Sequence, residues 1–573
     1  MSCQREARER DELKQAATEF YRIRQVPERL EEALNCTFFL GPQDVYGHLA
    51  NYFAQYSETP VISSVRGRKV LDGVGKVTVE AEVLCTVKNI NKLICSSVIP
   101  CGLLDKVSPD APDENEQVNC QSVEMAIQWI RDLSPVLKGV SPSDQHKVDQ
   151  ILSDFYKPKM EEAKEKMEME RELTPLPDQP APSPKPSPLP GKKKGSSKGK
   201  KASVVEKPIP PAEPPEPSVQ GSIAIGALSL AVANASAILT ETPLYLHIAA
   251  LRNKQKPTEF FMPTPMITLL NYGKCSPGKL NLMKEVLVIP QVGLSVHQSL
   301  EMVLTLQKQI FKQLDSISKT GTVMKNVSPL GSLLLGGDRI EQPLDLISEA
   351  CHHTGLELGK NLYLAINCAA HELMDYNKGK YETISGTFKS PDEMVDLYVD
   401  LINRHPAILA LLDPLRKEDS VQWESLCNTL GSKCYILSEA AAKPVSELSE
   451  SGTISHPTCM GVVIKHTNET TISQMMDVFI HGEAEKRADV FGCAYEESDG
   501  DSPADLAVGF GAQFIKLGGL LRGERTTKYN RLLAIEDELT QAGQLVFRTK
   551  YEFPILCNDS QTLGGPEETH GHS

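Results

Sequence analysis

Two lysines close strand-length apolar runs in the C-terminal half of this chain: Lys465 ends GVVIK and Lys516 ends AQFIK. A lysine at such a position can take a proton or stabilise developing negative charge, provided that its neighbours set its protonation. Other strand-length runs end differently. Asn367 closes LYLAIN, Leu412 lies in AILALLDP, and Leu437 closes KCYIL. At strand ends where a metal-dependent enzyme would need carboxylates, these residues offer one amide and two hydrocarbon side chains. A solvated strand-end charge is the plain alternative for each lysine.

The elements that would position these residues recur along the chain. From Met262 onward, short apolar runs alternate with helical patterns such as LDLISEACHHTGLEL, SPDEMVDLYVDLINRHP and TISQMMDVFIHGEAEKRA. That rhythm predicts an α/β barrel over 262–553. Before it, GRKVLDGVGKVTVEAEVLCTV and KLICSSVIP alternate as antiparallel strands and are followed by helical periodicity. An α+β capping domain over 61–156 and 219–261 is the expectation. The segment 157–218 is dense in proline and lysine and poor in apolar residues, so it is expected to be a disordered insertion and solvated tether. A disordered tail is expected over 554–573.

The first 60 residues stand apart. VPERLEEALNCTFFLGPQDVYGHLANYFAQYS places apolar residues at helical spacing on either side of Gly41-Pro42, including Leu30, Leu34, Leu49 and Phe53. A helical hairpin over 26–56 is too short to bury that face alone and should dimerise or dock. An ordinary helical appendage packed on the main body is the competing reading.

At 573 residues the chain holds several domains, and 40% hydrophobic with 24% charged residues is a globular composition. A net charge of -15 argues against general nucleic-acid binding. The 14 cysteines show no CxxC pairing, and the charged start MSCQREARERDELK lacks an apolar leader, so reduced thiols and a cytoplasmic location are expected. The apolar stretch Ile223 to Leu239 is too short to span a bilayer and reads as a buried helix.

From residue 66 to 553, with the insertion removed, the sequence resembles the enolase family. The resemblance is carried by RGRKVLDGVGKVTVEAEV, GALSLAVANASAILTETPLYLHIAAL and MPTPMITLLNYGKCSPGKLNLMKEVLVIP, and most of all by LRGERTTKYNRLLAIEDEL. It implies an enolase-type eight-stranded barrel with its capping domain. It also implies phosphopyruvate hydratase chemistry, the conversion of 2-phosphoglycerate to phosphoenolpyruvate with magnesium. In that register Lys465 matches the family's proton-abstracting lysine, Lys516 the lysine facing the substrate carboxylate, and Glu285 the substrate-side glutamate.

The same register puts Asn367, Leu412 and Leu437 at the three metal-ligand positions, so magnesium is not expected at the usual site. A two-residue slip at Leu437 would bring Glu439, and Asp413 beside Leu412 should point to the other face of its strand. Leu330 falls where the family has its acid glutamate. Cys493, Ala494 and Tyr495 replace the His, Arg and Ser of the family's phosphate-binding loop, Cys275 or Ser276 replaces a loop histidine, and LLDKVSPD stands at the N-terminal substrate loop without its Ala-Ser-Thr-Gly run. Three functional readings follow: an enolase-type lyase of doubtful activity, a non-catalytic scaffold subunit, and a metal-free enzyme of changed specificity using Lys465, Lys516 and Glu285. The N-terminal hairpin resembles docking hairpins of the Dpy-30/RII-alpha type. That implies an amphipathic-helix partner and a ciliary or flagellar location, while the barrel implies a homo-oligomer or pairing with another enolase.

Overall fold

The computed structural model describes residues 2–101, 112–173, 219–274, 276–317, 326–451 and 459–554. The barrel strands are Thr264–Asn271, Glu285–Pro290, Leu362–Asn367, Ile408–Leu412, Tyr435–Ser438, Gly461–Lys465, Val490–Gly492 and Phe514–Gly518. They pair in chain order, and the last strand pairs with the first to close the ring. The second strand runs antiparallel to both neighbours, whereas the other pairings are parallel. Helices between the strands start at sequence-encoded caps. Ser390 with Glu393, and Thr471 with Gln474, form reciprocal capping boxes on Pro391–Arg404 and Ile472–Ala484. The architecture is the enolase-type α/β barrel with an N-terminal α+β capping domain that the sequence predicts.

The capping domain holds a three-stranded antiparallel sheet, Val61–Leu71, Val77–Val87 and Ile90–Val98. Val79, Ala81, Val83 and Cys85 alternate into its core. The helix Ile223–Leu239 packs on the second and third strands and is apolar nearly all round, as a helix enclosed on all sides must be. Among the described residues no single helix is long and apolar enough to cross a membrane, although this helix and Leu244–Asn253 pass as a bent pair on length and composition. Gly226 in the first of them lets the barrel loop approach. Its N–H donates to the Asn468 carbonyl at 2.9 Å, and a Cβ there would lie 2.5 Å from that oxygen.

A buried carboxylate fastens the two domains. Asp149, on Gln145–Leu173, accepts hydrogen bonds from Ser229 Oγ at 2.6 Å, from Ser473 Oγ at 2.6 Å, and from the Ser473 N–H at 2.9 Å. It thus joins three helices at the start of the barrel helix Ile472–Ala484, where the helix dipole favours negative charge. At the far end of the barrel the C-terminal segment crosses the strand starts. Phe553 lies 4.5 Å from the Tyr435 ring, and Tyr551 stacks on Phe514 at 6.2 Å.

Two expected boundaries move. The insertion does not begin at 157: the helix Gln145–Leu173 continues through Lys157 to Leu173. Lys159 covers Trp129 and Phe155 at 5.0 and 4.6 Å, and Met160 packs on the core, so this stretch has contacts that hold it helical. The rest of the insertion and the tail beyond Pro554 lie outside the described residues. The N-terminal region is three helices, not a hairpin alone: Ser2–Ile23 precedes Val26–Leu40 and Val45–Ala54. Gly41 ends the second of these at φ +54, the left-handed geometry that glycine adopts cheaply.

Asp149→Ala leaves the Ser229 and Ser473 donors without their acceptor. The expected cost is about 3 kcal/mol in urea unfolding, with faster hydrogen exchange at the start of Ile472–Ala484.

Candidate functional site: an ion-paired barrel mouth

Register places the candidate residues. Glu285 pairs with Asn367 across the second and third strands, Asn367 with Leu412, and Leu412 with Leu437, forming one row across four neighbouring strands. Lys465 and Lys516 flank Gly492 in a second row. Strand side chains alternate, so Tyr435, Leu437 and residue 439 share the barrel-facing side.

Glu439 is therefore the carboxylate that reaches the mouth on the fifth strand, two residues beyond Leu437. Leu437 is fully buried and has only hydrocarbon to offer, so the mouth group of this strand is corrected from Leu437 to Glu439. One Glu439 oxygen pairs with Lys465 Nζ at 2.6 Å and the other with Lys516 Nζ at 3.0 Å. Lys516 Nζ also donates to Glu285 Oε1 at 2.8 Å. Asn367 Nδ2 donates to that same Glu285 oxygen at 2.7 Å, and Thr268 Oγ1 donates to the other at 2.9 Å. Lys465, Glu439, Lys516, Glu285 and Asn367 form one continuous chain. Of these side chains only Lys465 is appreciably open to solvent, at 24%.

The charges fix one another's protonation. Burial pushes the Glu439 carboxyl up, but Lys465 and Lys516 outweigh it and hold the group well below the usual carboxylate range. Glu285 is held low in the same way: burial raises it, and Lys516 more than reverses the effect. Burial pulls Lys516 down, and Glu285 with Glu439 hold it above its ordinary value. Beside them Lys284 Nζ pairs with Glu372 at 2.6 Å.

Asp413 is not a mouth ligand. It sits at φ +45, and its carboxylate accepts from the backbone N–H groups of Glu439, Ala440 and Ala441 at 2.7, 2.7 and 3.2 Å. Its carboxylate thereby fastens the turn that carries Glu439. Thr268, Asp413 and Glu439 are the site residues that sequence reasoning missed or left open. Extending the two-residue alternation past Leu437 was the signal available for Glu439.

The remaining assignments fall in surrounding loops. Leu330 is buried, and its carbonyl accepts the Gly519 N–H at 2.7 Å. Gly518 at φ +94 keeps that approach open, since a Cβ there would meet the same carbonyl at 2.5 Å. Cys493 is buried and its N–H donates to the Lys516 carbonyl at 2.9 Å. Arg525 Nη2 donates to the Ala494 and Tyr495 carbonyls at 2.9 and 2.6 Å, and Lys528 Nζ to Ser498 at 2.7 Å. The most recognisable segment of the sequence is thus a loop clamp with buried cations. Ser276 Oγ caps the Gly273 carbonyl at 2.8 Å. Cys275 and the 103–110 loop lie outside the described residues. A cleft of about 1360 Å³ opens at the opposite end of the barrel, beside Arg252, Arg487 and Arg548, and shares no residue with the mouth.

Comparison with known proteins agrees with this fold. Residues 259–551 match the family model described as Enolase, C-terminal TIM barrel domain. The chain is 70% identical to Enolase 4 of Xenopus tropicalis, covering 99% of this chain and 98% of that one. It is 50% identical to Enolase 4 of Homo sapiens, over 95% of this chain and 91% of that one. The chain belongs to the enolase family. Enolases generally use magnesium, but the donor set here does not suit it. Leu412 offers no oxygen. The Asn367 amide is committed at both ends, its Oδ1 accepting from the Ala369 N–H at 3.1 Å. Both Glu439 oxygens lie on lysines. Among the described residues no cluster of three or more His, Cys, Asp or Glu side chains is placed to hold a metal.

The pKa directions set a pH profile. Glu285 and Glu439 lie below the ordinary carboxylate value of about 4.3, so their contribution is present above it and is lost as pH falls through their folded values. Lys516 lies above its ordinary value of about 10.4, so its contribution is complete below that and is lost only at higher pH. Urea midpoints should therefore show a mouth contribution that is flat between about pH 5 and 10. Glu439→Gln should flatten the acid limb.

Proposed function

We propose that this chain is a non-catalytic member of the enolase family, a structural subunit whose barrel mouth has lost metal-dependent dehydration chemistry. The observation that carries the reading is the complete internal pairing of the mouth. Lys284, Lys465 and Lys516 face Glu372, Glu439 and Glu285, so these three lysines, among the described residues, carry no surplus positive charge for a polyanion such as 2-phosphoglycerate. Magnesium, on this reading, does not load at the mouth. Each missing ion would have supplied several kcal/mol of charge stabilisation, and about 1.4 kcal/mol is tenfold in rate. Lys465 keeps the strand-end position of a proton base, but its ammonium is held 2.6 Å from a carboxylate, and a base must be neutral to take a proton.

The N-terminal helices supply the second half of the proposal. Only Ala33 and Thr37 are buried on Val26–Leu40, while Leu30, Leu34, Phe38 and Phe39 stay exposed. Leu49 and Phe53 are half-buried. A face that open favours pairing with a second copy, or docking of an amphipathic helix. The assembly we envisage is cytoplasmic and ciliary or flagellar, as a homo-oligomer or in company with another enolase.

Purified protein supplied with 2-phosphoglycerate and magnesium should turn over at least about a thousandfold more slowly than an active enolase measured beside it. If turnover comparable to the control appears and Lys465→Ala abolishes it, the chain is a phosphopyruvate hydratase and the non-catalytic reading fails.

Removing residues 1–60 should leave the barrel folded by circular dichroism and lower the oligomeric state in sedimentation. Unchanged assembly would place the contact on the barrel or the insertion instead.

A further inference from the structure

The mouth still holds two buried carboxylates, Glu285 at 2% and Glu439 at 9% side-chain exposure. Buried carboxylates need counter-charges of some kind. Both lysines meet on Glu439, one on each oxygen, while Lys516 spans from there to Glu285. Asn367 is the residue that makes this closure possible. A carboxylate in its place would stand 2.7 Å from Glu285 and repel it, whereas its amide donates a hydrogen bond. Leu412, fully buried, fills the next place in the row with hydrocarbon that offers an ion no ligand. The backbone of the turn is built for the same end, since three successive N–H groups on Asp413 fix where the Glu439 carboxylate points.

We propose that the ammonium groups of Lys465 and Lys516 are the resident cations of this mouth, with Glu439 as the positioning residue that holds both, so that the barrel is closed by its own ion pairs and needs no divalent ion for its stability. The inference rests on the non-catalytic reading, because a lysine committed as a counter-ion is not available as a base.

The test uses the full chain. The unfolding midpoint of the unmodified protein should be the same in magnesium and in EDTA. Glu439→Gln strands two ammonium groups on one remaining carboxylate and should lower the midpoint by roughly 5 °C or more. Adding Lys465→Met to that variant removes the stranded charge, so the double variant should recover at least half of the loss. Recovery is what simple loss of packing would not produce. If Glu439→Gln does not fold alone, the double variant should still fold. A double variant no more stable than the single one overturns the counter-ion role while leaving the non-catalytic reading standing. A saturable rise in the midpoint of the unmodified protein with magnesium, reversed by EDTA, overturns both.

Discussion

Everything at the barrel mouth follows from the need to compensate Glu439. A carboxylate buried there cannot remain ionised without partners, and desolvation alone would drive it toward the neutral form. Two ammonium groups at 2.6 and 3.0 Å reverse that tendency. The pairing is mutual: Lys516 could not stay charged at 5% exposure without Glu285 and Glu439. Breaking any one link leaves an uncompensated buried charge, which is far more costly than the intact chain is favourable.

The surrounding scaffold applies the same rule with backbone groups instead of ions. Asp413 satisfies three N–H groups in the turn after the fifth strand, and Arg525 and Lys528 satisfy carbonyls in the loop after the seventh. Asp149 does so between domains, reaching two serines on different helices. These charged side chains are nearly invisible to solvent, and each ends on loop or helix-end backbone that would otherwise be left unpaired. The order of these loops therefore rests on buried charged side chains bound to their backbone and does not require catalytic side chains.

The barrel was legible in the sequence because strand–helix alternation and hydrophobic period are local. GVVIK and AQFIK announce buried parallel strands with polar ends, and the structure places both lysines at one mouth. The convergence of Glu285 and Asn367 also follows from the register. Leu437 was misplaced because KCYIL ends its apolar run one alternation before the strand face reaches the mouth. An apolar run marks burial, not the strand's end, and Glu439 sits beyond Ser438 in a turn whose geometry is set by Asp413 on another strand. No local pattern carries that contact. The helix through Lys157–Leu173 was read as insertion for a related reason: its charged composition suits solvent, while the contacts that hold it come from Trp129 and the core.

On the non-catalytic reading proposed above, retaining the lysines without the metal carboxylates is a coherent physical state, not a half-dismantled site. With the carboxylates at three strand ends and no metal, the mouth would hold a surplus of buried negative charge. With apolar residues throughout, Lys465 and Lys516 would be stranded. Replacing one ligand by Asn367 and another by Leu412, while keeping a carboxylate at Glu439, balances the ledger of charge with groups already present. The amide matters as much as the leucine, because only a donor can sit against Glu285 without competing for Lys516. The paired arrangement then stabilises the mouth whether or not the protein turns over a substrate, so on the proposed reading both lysines can persist as counter-ions with no proton to move.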